Sequence, residues 1–169
     1  MADRVRGTAL EGVAGDEFRA AMSRWATGVS VFTASAADGP VGLTVSSLAA
    51  VSLEPPLVLG CISRHTSAHD ALVGAEGFAV HVLGHGQKDV SARFAGPPEV
   101  RFDGIGWEAG PFGAPLLPIG LARLVCAHEV TTEAGDHTIL VGRVVRVEVE
   151  DGDPLVYFHR AYRGVVDLA

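Results

Sequence analysis

The stretch from His137 to Glu150 most constrains what this chain can fold into. Ile139, Val141, Val145, Val147 and Val149 lie on one face, with Arg143 the exception, while Arg146, Glu148 and Glu150 lie opposite. That period of two belongs to an extended strand, not to a helix. Gly120 to Thr132 reads as its partner arm, so the two form a long hairpin turning near Gly135-Asp136. Further strand-like runs are Val29 to Ala34, Val41 to Ser46, Leu57 to Ile62, Phe78 to Leu83 and Pro154 to Phe158. The 21 glycines and nine prolines exceed what a helical bundle tolerates. A mainly β fold with flanking helices is expected, with about seven short strands in a small barrel whose closure removes exposed edges.

A second stretch carries the chemistry. In Val41 to Pro56 the apolar Val41, Leu43 and Val45 alternate with Gly42, Thr44 and Ser46, so one face packs and the other can hold a ligand. Hydroxyls beside free backbone N–H groups suit phosphate oxygens and carbonyls. Pro55-Pro56 cannot donate to a ladder and predicts a sharp turn. The alternative is an ordinary strand whose serines are merely solvated.

Two or three helices flank these strands. Asp16 suits an N-cap, and Phe18, Met22 and Trp25 recur at helical spacing, giving an apolar stripe expected to lie on the barrel. Thr66 to Val73 and Gly86 to Phe94 read as two more helices. Leu57 to Ile62 is a continuous apolar run expected to be buried on both faces, and Ala95 to Pro118 a long excursion with one short strand near Trp107.

A chain of 169 residues, 48% hydrophobic, fits one domain over residues 16–169 behind a flexible lead-in at 1–15. The net charge of −7, with no basic patch, argues against a nucleic-acid partner. No run reaches the length of a membrane span, and the N-terminal residues lack a signal-like apolar core, so the expected location is the cytoplasm. Cys61 and Cys126 sit in apolar runs and read as small buried hydrophobes.

Two apparent motifs fail. Gly104-Ile105-Gly106-Trp107-Glu108-Ala109 matches a dinucleotide fingerprint, but the glycines and prolines of 110–115 forbid the helix that fingerprint needs. His65 and His69, with Asp70 beside them, have a spacing metals use, yet no third ligand is convincing, and no metal is expected.

Thr44-Val45-Ser46-Ser47, followed by Val51-Ser52-Leu53-Glu54-Pro55-Pro56-Leu57, resembles the signature of the short-chain flavin reductase family. That family supplies the reductase components of two-component flavin-dependent monooxygenases. The resemblance continues in order through Gly77 to Leu83, Gln87 to Phe94, Gly135-Asp136-His137 and Pro154 to Phe158. One departure is His81, where the family usually has asparagine.

The resemblance implies a split β-barrel flavin-binding fold, a homodimer with flavin sites at or near the subunit interface, FMN or FAD as flavin, and NADH or NADPH as reductant. It further implies that Pro40, Val41, Gly42, Leu43, Thr44, Ser46 and Ser47 line the flavin, with Cys61, Ile62 and Ser63 adding backbone contacts. Ser67, Ala68, Arg93 and Phe94 would hold the ribityl and phosphate end, with Arg64 a further candidate on charge alone. His137 and the segment Tyr157, Phe158, His159 and Arg160 would meet the nicotinamide, His137 as the catalytic residue. Reduced flavin would pass to a separate monooxygenase. Hydride transfer asks the protein chiefly for binding and orientation, which fits the lack of an acid, base or nucleophile cluster. The other reading is a flavin carrier or storage protein of the same fold, which would not need Gly135-Asp136-His137 or Tyr157 to Arg160.

Overall fold

The computed structural model describes residues 12–166, so most of the lead-in expected at 1–15 lies outside the described residues. In chain order the elements are α1 (Gly15–Met22), β1 (Thr27–Gly28), β2 (Ser30–Ala36), β3 (Gly39–Val45), β4 (Ala49–Leu53), β5 (Pro56–Ser63) and α2 (His69–Gly74). There follow β6 (Gly77–Val82), α3 (Lys88–Ala95), β7 (Glu108–Ala109), β8 (Pro115–Leu116), β9 (Ala122–Ala134), β10 (His137–Val149), β11 (Val156–Phe158) and β12 (Ala161–Arg163). The fold is mainly β with flanking helices.

The long hairpin forms as its alternation requires, and β9 and β10 stand at the middle of a seven-stranded antiparallel sheet ordered β3-β2-β6-β9-β10-β5-β4. The β2–β3 turn uses Gly39 at φ +128°, and Pro40 stands at the start of β3, an edge strand paired on one side only, where a proline is tolerated. The sheet curls until β5 lies over β2: a Cβ at Gly60 would fall 2.7 Å from the Phe32 ring. Phe32 stacks on Phe78 with centroids 5.5 Å apart, and Ile62, Leu72, Val80, Cys126 and Leu140 complete this core. A second cluster, Val29, Val31, Leu83, Phe94, Leu117 and Leu155, fills in where α3 packs.

The valine face that marks β10 in sequence is not its buried face. Thr138, Leu140 and Gly142 point into the core, whereas Ile139 and Val141 are half-buried and Val145, Val147 and Val149 are 48%, 54% and 71% exposed. The phase is fixed by the ladder to β5, in which Leu140 faces Gly60, Thr138 faces Ile62 and Gly142 faces Val58. Gly142 is required there, since a Cβ would lie 2.4 Å from Phe78. A β-bulge between Val144 and Arg146 then disrupts the alternation.

Other expectations are corrected. The α1 stripe does not pack on the sheet: Phe18, Met22 and Trp25 are 58%, 48% and 68% exposed, and α1 buries no residue. Its N-cap is Ala14, whose N–H donates to the Glu17 carboxylate, so Asp16 falls inside the first turn. Helix α2 starts at His69 rather than at Thr66, and a 3₁₀ turn over His85–Gln87 precedes α3. Strand β5 alternates, with Val58, Gly60 and Ile62 buried between half-buried neighbours, instead of burying both faces. The C-terminal strand leaves the large sheet and forms a three-stranded one, β1-β11-β12. The excursion holds the short hairpin β7–β8.

Candidate functional site

After β3 ends, Ser47 turns back toward β5. Its hydroxyl accepts from the Cys61 N–H at 2.8 Å and lies 3.3 Å from the Cys61 carbonyl, fastening the end of edge strand β3 to β5, the last strand but one on the far side of the sheet order. Beside this clasp opens a cleft of about 760 Å³, within the range of small-molecule sites. Ser46 and Ser47 form one wall, Tyr157, His159 and Arg160 another, and α1 with Trp25 and Thr27 the third. His159 and Arg160 both take positive φ, 52° and 60°, in the turn between β11 and β12, and the His159 N–H donates to Ser23 O at 2.9 Å, tying that turn to α1. Five of the residues singled out in sequence therefore share this cleft.

A second group gathers elsewhere. Pro40, Val41, Gly42, Ser67 and Ala68 line a small recess of about 90 Å³ with Arg101, continuous through Pro40, Val41 and Ser67 with a broader groove of about 1010 Å³. The Gly42–Thr44 face expected to stay open for a ligand is covered by α3. The Phe94 ring lies where a Gly42 Cβ would be, 2.9 Å away, and the Thr44 hydroxyl donates to Ser91 O at 2.7 Å. Phe94 is fully buried, edge-on to Phe102 at 5.1 Å, and Arg93 donates to Asp103 O at 2.5 Å. Leu43 packs on the main core, and Ile62 is buried within it. Arg101, missed in sequence, donates to the Gly42 and Gly96 carbonyls and forms no ion pair among the described residues, and burial lowers its pKa against the opposing charge of Glu99.

His137 opens β10 and pairs with Ser63 across the ladder, two residues beyond Cys61, roughly 7 Å along the strand. Phe158 sits half-buried in β11 beside His159, with ring centroids 6.0 Å apart. The His137 Nδ1 lies 2.7 Å from Asp136 Oδ1, and this hydrogen bond, then the histidine's charge, holds the Asp136 carboxyl below its usual range. Arg64 N–H donates to Asp136 O at 3.0 Å, and its side chain pairs with Glu133, which leaves it turned toward β9.

His81 is fully buried. Its Nδ1 is 3.2 Å from Val31 O and its Nε2 accepts from the Leu117 N–H at 3.0 Å, and burial pulls its pKa down to about 4. It is a neutral tie between strands. Cys126 is buried with its thiol pushed up to about 12, while Cys61 is half-buried. Among the described residues no three His, Cys, Asp or Glu side chains gather to hold a metal. Arg19, Trp25 and Thr27 belong to the cleft wall although their sequence pattern spoke only of helix and turn.

The family described as flavin reductase like domain matches residues 22–165. An FMN reductase (NADH), SmoA, from Agrobacterium fabrum is 45% identical over 86% of this chain and 83% of its own length. HsaB from Rhodococcus jostii, the reductase subunit of a flavin-dependent monooxygenase, is 35% identical over 93% of this chain and 81% of its own. Among solved structures, the NADH:FAD oxidoreductase SgcE6 of Streptomyces globisporus, in complex with NAD and FAD fragments, superposes with a TM-score of 0.84 at 33% identity, covering 93% of this chain and 98% of that one.

Proposed function

Because this chain belongs to the flavin reductase-like domain family, we propose that it is an NAD(P)H-dependent flavin reductase that reduces FMN or FAD and passes the reduced flavin to a separate monooxygenase. The observation that carries this reading within the molecule is the cleft beside the Ser47 clasp. Its polar and aromatic groups suit a flavin: the Ser46 hydroxyl as donor and the Ser47 oxygen as acceptor for the polar edge of a ring, Trp25 and Tyr157 as aromatic surfaces, and Arg160, with Arg19 paired to Asp16 beside it, as cations for a phosphate. When bound, the nicotinamide and flavin supply the redox chemistry, a hydride passing from the first to the second. The chain orients them. Ser46 offers a hydroxyl toward the cleft, and Ser47 can spare a lone pair beyond those engaged at Cys61. The His137 Nδ1–H donates to Asp136, which fixes the ring and leaves Nε2 to meet the nicotinamide or to hold a proton near the flavin as charge builds there.

The split barrel belongs to this proposal. Its support is the curled seven-stranded sheet in which Ser47, after edge strand β3, reaches β5 through a side chain and not through a ladder. The homodimer does too, supported by apolar side chains left exposed on β4, β9 and β10, namely Val51, Val130, Val145 and Val147. Two free cysteines suit a reducing compartment, which favours the cytoplasm, and no helix among the described residues is long and apolar enough to cross a membrane.

The direct test is NADH and NADPH oxidation in air with and without added FMN or FAD. Flavin-stimulated oxidation is the expected result. Tight flavin binding without consumption of either nicotinamide would leave the carrier reading standing in its place.

A further inference from the structure

His69 and Asp70, whose spacing from His65 suggested a metal site, are used otherwise. The His69 Nδ1 lies 2.8 Å from Asp70 Oδ1, and its Nε2 lies 2.8 Å from the hydroxyl of Thr138, across 69 residues of sequence. Both ring nitrogens are engaged, and the His69 side chain is only 15% exposed. A carboxylate only accepts, so Nδ1 carries the proton of neutral His69 and Nε2 presents its lone pair to the Thr138 hydroxyl. This carboxylate, imidazole and hydroxyl series has the order of a nucleophile relay. Thr138 is nevertheless buried in the middle of a three-strand ladder, facing Ile62 and Glu133, and no substrate can reach it. Its hydroxyl is an anchor.

What the anchor holds is the neighbouring residue. Successive side chains of a strand point to opposite faces, so a Thr138 pinned inward to α2 keeps His137 outward at the rim. Around the preceding turn, where Gly135 takes φ +63°, the ties are the Arg64 N–H to Asp136 O bond, the His137 ring on Asp136 and the pairing of His137 with Ser63 and Ala134, and the Thr138 bond to His69 is the one that reaches α2. We propose that His69 is a positioning residue which, through Thr138, fixes the placement of His137. This inference rests on the reading of His137 as the residue that meets the nicotinamide.

The test compares kcat and KM for NADH with FMN as acceptor in wild type, His69→Ala, His69→Gln, Thr138→Val, His137→Ala and the His69→Ala/His137→Ala pair, each normalised to folded protein. His69→Ala should lower kcat about tenfold, as a misplaced orienting group does. Thr138→Val, which keeps the shape of the buried side chain, should reproduce that loss. His69→Gln, whose amide oxygen can accept from Thr138, should recover most of the rate. In the His137→Ala background the loss of His69 should cost nothing further. The proposal is overturned if His69→Ala and Thr138→Val run at the wild-type rate, or if His69→Ala costs the same factor with and without His137, the mark of a role in folding alone. A wild-type rate for His137→Ala would remove the reading of His137 and this inference with it. A slow His137→Ala beside an unaffected His69→Ala would remove this inference only.

Discussion

Ser47 and His81 show how single side chains here serve the backbone first. Ser47→Ala removes both the acceptor for the Cys61 N–H and the donor to its carbonyl, in a part-buried setting. The expected loss is about 1–3 kcal/mol of stability, read from urea unfolding, together with weaker flavin binding by titration. Unchanged stability would mean that water replaces the hydroxyl without cost. His81 titrates near pH 4 in the folded chain against an ordinary value of 6.5, because burial disfavours its charge. Between those values the unfolded chain binds a proton that the folded chain does not. The contribution is therefore complete above about pH 6.5 and is lost as pH falls, up to about 3 kcal/mol by pH 4. His81→Asn cannot titrate, so its stability should fall less than the wild type's between pH 7 and pH 4. Parallel pH profiles would show that His81 is not the sensitive group.

At the scale of elements, the two features that break the usual rules are α1 and the outer side of β10. Each carries apolar residues in the open. If they meet a second subunit, Val145→Glu with Val147→Glu should shift the protein toward monomer in sedimentation while leaving the buried Leu140 side of β10 intact. Unchanged sedimentation would show that these valines lie in no interface between subunits. The hairpin β9–β10 was legible in sequence because the apolar residues of its second arm recur with a period of two on either side of Arg143 and a turn pair, Gly135-Asp136, precedes them. Its phase was not, because the side that packs is set by Gly60 and Gly142 admitting Phe32 and Phe78, a fit visible only once the rings are placed. The strands β1, β11 and β12 are two or three residues long and carry no periodicity at all. Their sheet, which brings Tyr157 and Arg160 to the cleft, accordingly shows in sequence only as the single run Pro154 to Phe158. Ser46, Ser47 and Tyr157 to Arg160 could be singled out through resemblance. Trp25 and Arg19 could not, since a helical spacing speaks for packing and α1 does not pack.

For the molecule as a whole, the path from β3 to β5 is completed by one hydroxyl. In an antiparallel pair a residue exchanges an N–H and a C=O with its opposite number, and Ser47 Oγ offers Cys61 the same two partners from a single atom. A peptide unit in that place would be released only by peeling a strand. A hydroxyl is released by turning one χ1 torsion between staggered wells, a motion that in open surroundings takes picoseconds to nanoseconds. Edge strand β3 is thus held to β5 by a latch with one degree of freedom, set in the wall of the cleft proposed for the flavin.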